Sequence, residues 1–65
     1  MSMWDVYVEG RFIGTLSEMD EAGARCAALH HFAVTDEEIA DAKRRGETLG
    51  ANVIRPDQDF SVSPA

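Results

Sequence analysis

Between Trp4 and Leu16 five apolar residues, Trp4, Val6, Val8, Phe12 and Leu16, occupy even positions. This is the period-2 pattern of a paired strand with one buried face. Gly10 divides the run, so the segment reads as a β-hairpin. An isolated hairpin is marginal in water, and that constrains everything downstream. The remaining chain must supply a further strand and helices that cover the apolar face. A two-residue loop at Glu9-Gly10 would pair Val8 with Arg11 and set even residues opposite odd ones. That splits the apolar set between faces, which a half-buried sheet resists. A three-residue loop, Val8-Glu9-Gly10, pairs Tyr7 with Arg11 and Val6 with Phe12 and keeps the even residues together. It also puts Gly10 at the left-handed position of a type I turn with a G1 bulge. The sequence therefore predicts the three-residue register. Asp5, Tyr7, Arg11, Ile13 and Thr15 then face outward, and Gly14 faces inward opposite Trp4, leaving room for the indole or a helix backbone.

Ser17 to about Phe32 reads as a first helix. Ser17 is the expected N-cap, and Glu18, Asp20 and Glu21 lie near the positive end of the helix dipole. Met19, Ala22, Cys26, Leu29 and Ala33 recur at helical spacing and mark the expected buried stripe. Glu21 and Arg25 stand at i, i+4 and are expected to pair. Gly23 weakens this helix, and a close helix–sheet contact would explain its presence. Thr35 to Arg45 reads as a second helix with stronger signals. Thr35-Asp36-Glu37-Glu38 is a capping box, Val34 and Ile39 form a hydrophobic staple, and Gly46 supplies the left-handed stop. Asp41 and Arg45 are another expected i, i+4 pair. Val53 and Ile54 are β-branched and are expected to open a third strand that ends by Pro56. Phe60 and Val62 alternate with Ser61 and Ser63 and can add a short edge strand. The expected fold is α+β with the order ββααβ, or one more short β. A small antiparallel sheet, the N-terminal hairpin plus a C-terminal strand, packs against two helices in a single domain over residues 1–65.

Composition narrows function more by exclusion than by assertion. Twelve Asp+Glu against six Lys+Arg give a net charge of −6. Nucleic acids and anionic membranes are bound through basic residues, so direct contact with either is not expected. The single cysteine, Cys26, permits no internal disulfide and no cysteine-rich zinc site. It points to a reducing compartment. No apolar run reaches the roughly 18 residues of a membrane span, and the N-terminus shows no signal-peptide pattern. These features lead us to expect a complete cytoplasmic protein.

Cys26 and His30 are one helical turn apart and could share a metal, or act as nucleophile and base. Two ligands are half a metal site, the rest having to come from a distant carboxylate such as Asp57 or Asp59 or from a second subunit. A catalytic pair needs an orienting third group and an oxyanion site. A small core cysteine beside a marginal histidine is the simpler reading. No phosphate-binding glycine loop or calcium loop is present. No cofactor and no enzymatic activity are expected.

The distribution of acid is more informative. Glu18, Asp20 and Glu21 crowd one helix start, and Asp36, Glu37 and Glu38 crowd the other, with Asp41 one turn on. Helix capping and solubility account for such clusters. They also suit a second role, in which spaced carboxylates imitate nucleic-acid phosphates and occupy the basic groove of a nucleic-acid-binding protein. The partner-binding residues expected on that reading are Glu18, Asp20, Glu21, Asp36, Glu37 and Asp41, with Tyr7 as an aromatic anchor. In size, acidity and lack of catalytic residues the chain resembles small phage and mobile-element inhibitors, including anti-CRISPR proteins, a resemblance of kind rather than of motif. It implies a non-enzymatic inhibitor whose partner is a nucleic-acid-binding protein complex. The alternative is a small accessory or self-associating subunit, in which an open sheet edge pairs with a partner or with a second copy as a homodimer.

Overall fold

The computed structural model describes residues Met1–Ala65. Strand β1 (Ser2–Val8) and strand β2 (Arg11–Glu18) form the hairpin, followed by helix α1 (Glu21–Phe32), helix α2 (Asp36–Arg44) and strand β3 (Phe60–Pro64). The sheet is antiparallel with the order β2-β1-β3. The class is α+β and the order is ββααβ, as the sequence implies.

The hairpin turn differs from the expected one. Val8 pairs with Arg11, so the loop is Glu9-Gly10. Both loop residues have positive φ, 50° and 80°, which is the signature of a type I′ turn whose twist matches the strands. The cost of this register to the apolar pattern is removed by a β-bulge, where pairing slips between Val6↔Gly14 and Tyr7↔Phe12. The extra residue is Ile13. It is 4% exposed, whereas Phe12 is 52% exposed. The bulge therefore reverses the expected roles of these two neighbours and carries Ile13 into the core. Gly14 does face inward, but opposite Val6 rather than Trp4. The space it leaves is filled by the Phe32 ring, which lies 2.8 Å from where a Cβ would stand.

Strand β2 also runs further than expected. Ser17 and Glu18 stay paired with Met3 and Ser2, and the Trp4 indole donates to the Glu18 carbonyl at 3.2 Å. Ladder bonds thus outcompete Ser17 as a cap, and Asp20 becomes the N-cap, accepting from the Gly23 amide at 2.7 Å. Gly23 is explained by that cap rather than by the sheet, because a Cβ there would sit 3.1 Å from the Asp20 carboxylate.

The core consists of Val6, Val8, Ile13, Leu16, Ala24, Ala28 and Ile54. Helix α1 faces the sheet with Ala24 and Ala28, and with the half-buried Ala27 and Phe32. Of the expected stripe only Ala33 packs against the core: Met19 and Leu29 are 80% and 48% exposed, and Ala22 and Cys26 are exposed too. Small alanines let the helix backbone approach the strands closely, and apolar residues on several sides of α1 leave its periodicity ambiguous.

The two helices are not equivalent. The extensive helix–sheet contacts are all made by α1. Helix α2 buries only Ala42. The molecule is 39 × 18 × 17 Å with a radius of gyration of 12.6 Å, against about 11 Å for a compact chain of this length. A nine-residue helix is marginal on its own, so its caps matter. The capping box is complete: the Glu38 amide donates to Thr35 Oγ1 at 3.1 Å and the Thr35 amide to Glu38 Oε1 at 3.3 Å. Thr35→Ala is expected to cost about 1 kcal/mol, confined to α2. Hydrogen exchange should quicken at the α2 amides while sheet amides keep their protection.

The third strand is Phe60–Pro64, where the sequence offered an optional one. Val53 and Ile54 do not open a strand. Ile54 makes one parallel bridge to Ala33, with its amide on the Phe32 carbonyl and its carbonyl accepting from Val34, both at 2.9 Å. The chain then turns. Arg55 and Gln58 bond to each other through the Arg55 amide and the Gln58 side chain at 2.9 Å, and through the Gln58 amide and the Arg55 carbonyl at 3.0 Å. Pro56 inside that turn has no amide to donate.

Candidate functional site

The carboxylates expected to bind a partner fall into two groups at opposite ends of α1. Glu18, Asp20 and Glu21 surround its N-terminus. Asp36, Glu37 and Asp41 lie beyond its C-terminus, on α2. The twelve residues of α1 separate the groups by about 18 Å at 1.5 Å per residue. Each group is local because each serves a helix start, and local capping needs no tertiary contact.

Their ion pairing differs. Asp41 is held by Arg44 at 2.5 Å and by Arg45 at 3.2 Å, and Arg45 also reaches Glu47 at 3.5 Å. The expected Asp41–Arg45 pair is therefore present and enlarged into a small network. The expected Glu21–Arg25 pair is absent, because the Arg25 guanidinium lies over the Phe60 ring, 4.6 Å from its centroid. Arg11 donates to the Ala51 carbonyl at 2.6 Å. Of the twelve carboxylates, only Asp41 and Glu47 have a cation within 4 Å. Ten remain without one.

Tyr7 does not join either acidic group. It lies on the sheet face turned away from α1, edge-on to Phe12 with ring centroids 5.9 Å apart. Met3, half exposed, shares that face two pairs along β1, with Asp5 between them. Phe12 was assigned to the core by the sequence pattern and is the surface aromatic that sequence reasoning missed. A type I′ reading of Glu9-Gly10 is the signal that could have found it.

Cys26 and His30 are both exposed. The His30 ring meets the His31 ring edge-on at 5.3 Å. No group of three or more His, Cys, Asp or Glu residues is close enough together to hold a metal ion.

Two grooves flank α1. One, of about 520 Å³, runs between β2 and α1 and is lined by Leu16, Glu18, Ala27, His31 and Phe32 among others. The other, of about 430 Å³, lies where α1 meets the turn after Ile54 and is lined by Leu29, Val34, Asp36, Arg55, Pro56 and Phe60 among others. No helix is long and apolar enough to cross a membrane. Compared with protein-family models, curated proteins and solved structures, the chain gives no significant match.

Proposed function

We propose that this chain is a non-enzymatic binding module of the cytoplasm. It acts as an acidic inhibitor that covers the basic, nucleic-acid-contacting surface of a larger protein complex, similar in kind to anti-CRISPR proteins. The observation that supports this reading is the unneutralised charge, ten carboxylates without a cation within 4 Å. Capping alone would not require Glu21, Asp36 and Glu37 to stay unpaired while Arg25 and Arg11 are committed elsewhere. The two groups about 18 Å apart give a partner two acidic contact points on one elongated body. Charge arranged in this way chiefly raises association rate and selectivity.

The test is capture of partners by the tagged protein from nuclease-treated lysate of its host, eluted in steps of salt. A nucleic-acid-binding complex released by about 0.5 M salt, where the Debye length falls below about 5 Å, is the expected result. Asp36→Lys with Glu37→Lys, and separately Glu21→Lys, should weaken that binding about tenfold or more in folded protein. Asp20 is left in place because it caps α1. A complex that resists salt and ignores these reversals would overturn the inhibitor reading in favour of an accessory subunit.

A further inference from the structure

The sheet has two edges, β2 and β3, because β1 lies between them. Edge strands are normally protected by charge, proline, a bulge, brevity or a cover. β3 is short and ends in Pro64. β2 is longer; it carries the bulge at Ile13, but its central run Phe12-Ile13-Gly14-Thr15-Leu16-Ser17 contains neither charge nor proline. No backbone hydrogen bond reaches β2 from any element other than β1. The β2–α1 groove opens beside this same edge. An uncovered edge strand next to a helix-walled groove is the arrangement that accepts an added strand.

The occupant is indicated by the charges at the strand ends. β2 begins at Arg11 and ends at Glu18. Arg11 pairs with Val8 and Glu18 with Ser2 across β1, so both lie on the α1 side of the sheet. When two copies of β2 run antiparallel with Thr15 near the two-fold axis, Gly14 meets Leu16 of the partner subunit. The bulge at Ile13 then brings Arg11 opposite Glu18 of the partner subunit on a shared face. The symmetry repeats that contact, so each pairing carries two complementary charge pairs, and the neutral centre lies against itself. We propose that β2 pairs with β2 of a second copy, forming a two-fold dimer with one continuous six-stranded sheet. On dimerisation Arg11 of each copy exchanges its bond to the Ala51 carbonyl for the carboxylate at the Glu18 end of the other's groove.

Sedimentation of the purified protein over a concentration series tests this, with no other partner present. The expected species is a dimer of twice the 7.1 kDa monomer, persisting at 0.5 M salt because backbone hydrogen bonds carry the contact. Capture of a basic partner would instead fall with salt, so the two ideas fail separately. Arg11→Glu and Glu18→Arg, each turning two attractive cross-strand pairs repulsive, should each weaken dimerisation about tenfold. The double variant Arg11→Glu/Glu18→Arg should recover to within about threefold of the parent. Recovery also shows that the single variants lost a contact and not the fold. A protein that stays monomeric up to about 1 mM would overturn the proposal, as would a dimer indifferent to both reversals.

Discussion

Ile13→Ala is expected to remove about 2–5 kcal/mol of stability, the usual cost of truncating a buried isoleucine. A domain of this length has only about 3–10 kcal/mol in total. The variant should therefore be partly unfolded at 25 °C or melt far below the parent. Phe12→Ala, one residue away, is expected to cost only about 1 kcal/mol. Phe12 is half exposed, and its ring meets that of Tyr7 edge-on, a pairing worth about 0.5–1.5 kcal/mol beyond area. Strict alternation along β2 requires the opposite order, with Phe12 costly and Ile13 nearly neutral. Denaturant midpoints of the two variants decide between the registers. A larger loss at Phe12 would mean that the bulge is not there.

That pair of residues shows why the hairpin was visible in the sequence while its register was not. A three-residue loop, and a two-residue loop followed by a bulge, both hold Trp4, Val6 and Leu16 on one face. Among the apolar residues they differ in whether Phe12 or Ile13 turns inward, and both side chains are large; Arg11 changes face with them. Alternation has no means of detecting one inserted residue. The capping box at Thr35 was readable because every group it uses lies within four residues. The start of α1 was not, since Ser17 and Asp20 are both good caps and only the ladder to Met3 and Ser2 selects the later one. The buried face of α1 was ambiguous for a related reason. Ala22, Ala24, Cys26, Ala27, Ala28 and Leu29 surround much of the helix, and the sheet selects the small Ala24 and Ala28 because they permit close approach.

The acidic groups of the candidate site were legible for the same local reason as the caps they build. What the sequence could not supply was their partners. Arg25 leaves Glu21 for Phe60, a residue 35 positions along the chain from it, and nothing in i, i+4 spacing anticipates that. Tyr7 was placed correctly on the outer face, but its neighbour there depends on the bulge. The exposed β2 edge was anticipated in outline as a sheet edge open to pairing. Its identity depends on β3 joining β1 rather than β2, which is a long-range choice.

Gly14→Val is expected to cost about 2–3 kcal/mol, a packing penalty rather than a backbone one. A Cβ at this position would lie 2.8 and 3.1 Å from two atoms of the Phe32 ring, too close for either to stay. Phe32 is the last residue of α1, its ring packs against the core, and its carbonyl holds the Ile54 amide at 2.9 Å. Swinging the ring outward would expose apolar surface and loosen the point where α1 meets the Ile54 segment. Overpacking of this kind typically costs about 1–3 kcal/mol, and valine adds two methyl groups beyond the Cβ. The strand itself would welcome a β-branched residue, so without the ring the substitution should be neutral or favourable. Phe32→Leu shortens the side chain and frees the space. In the double variant most of the Gly14→Val penalty should disappear, giving a coupling of about 1–2 kcal/mol between two residues 18 positions apart in the chain. Additive losses in that cycle would mean that the glycine serves the backbone of β2 and not the aromatic ring that covers it.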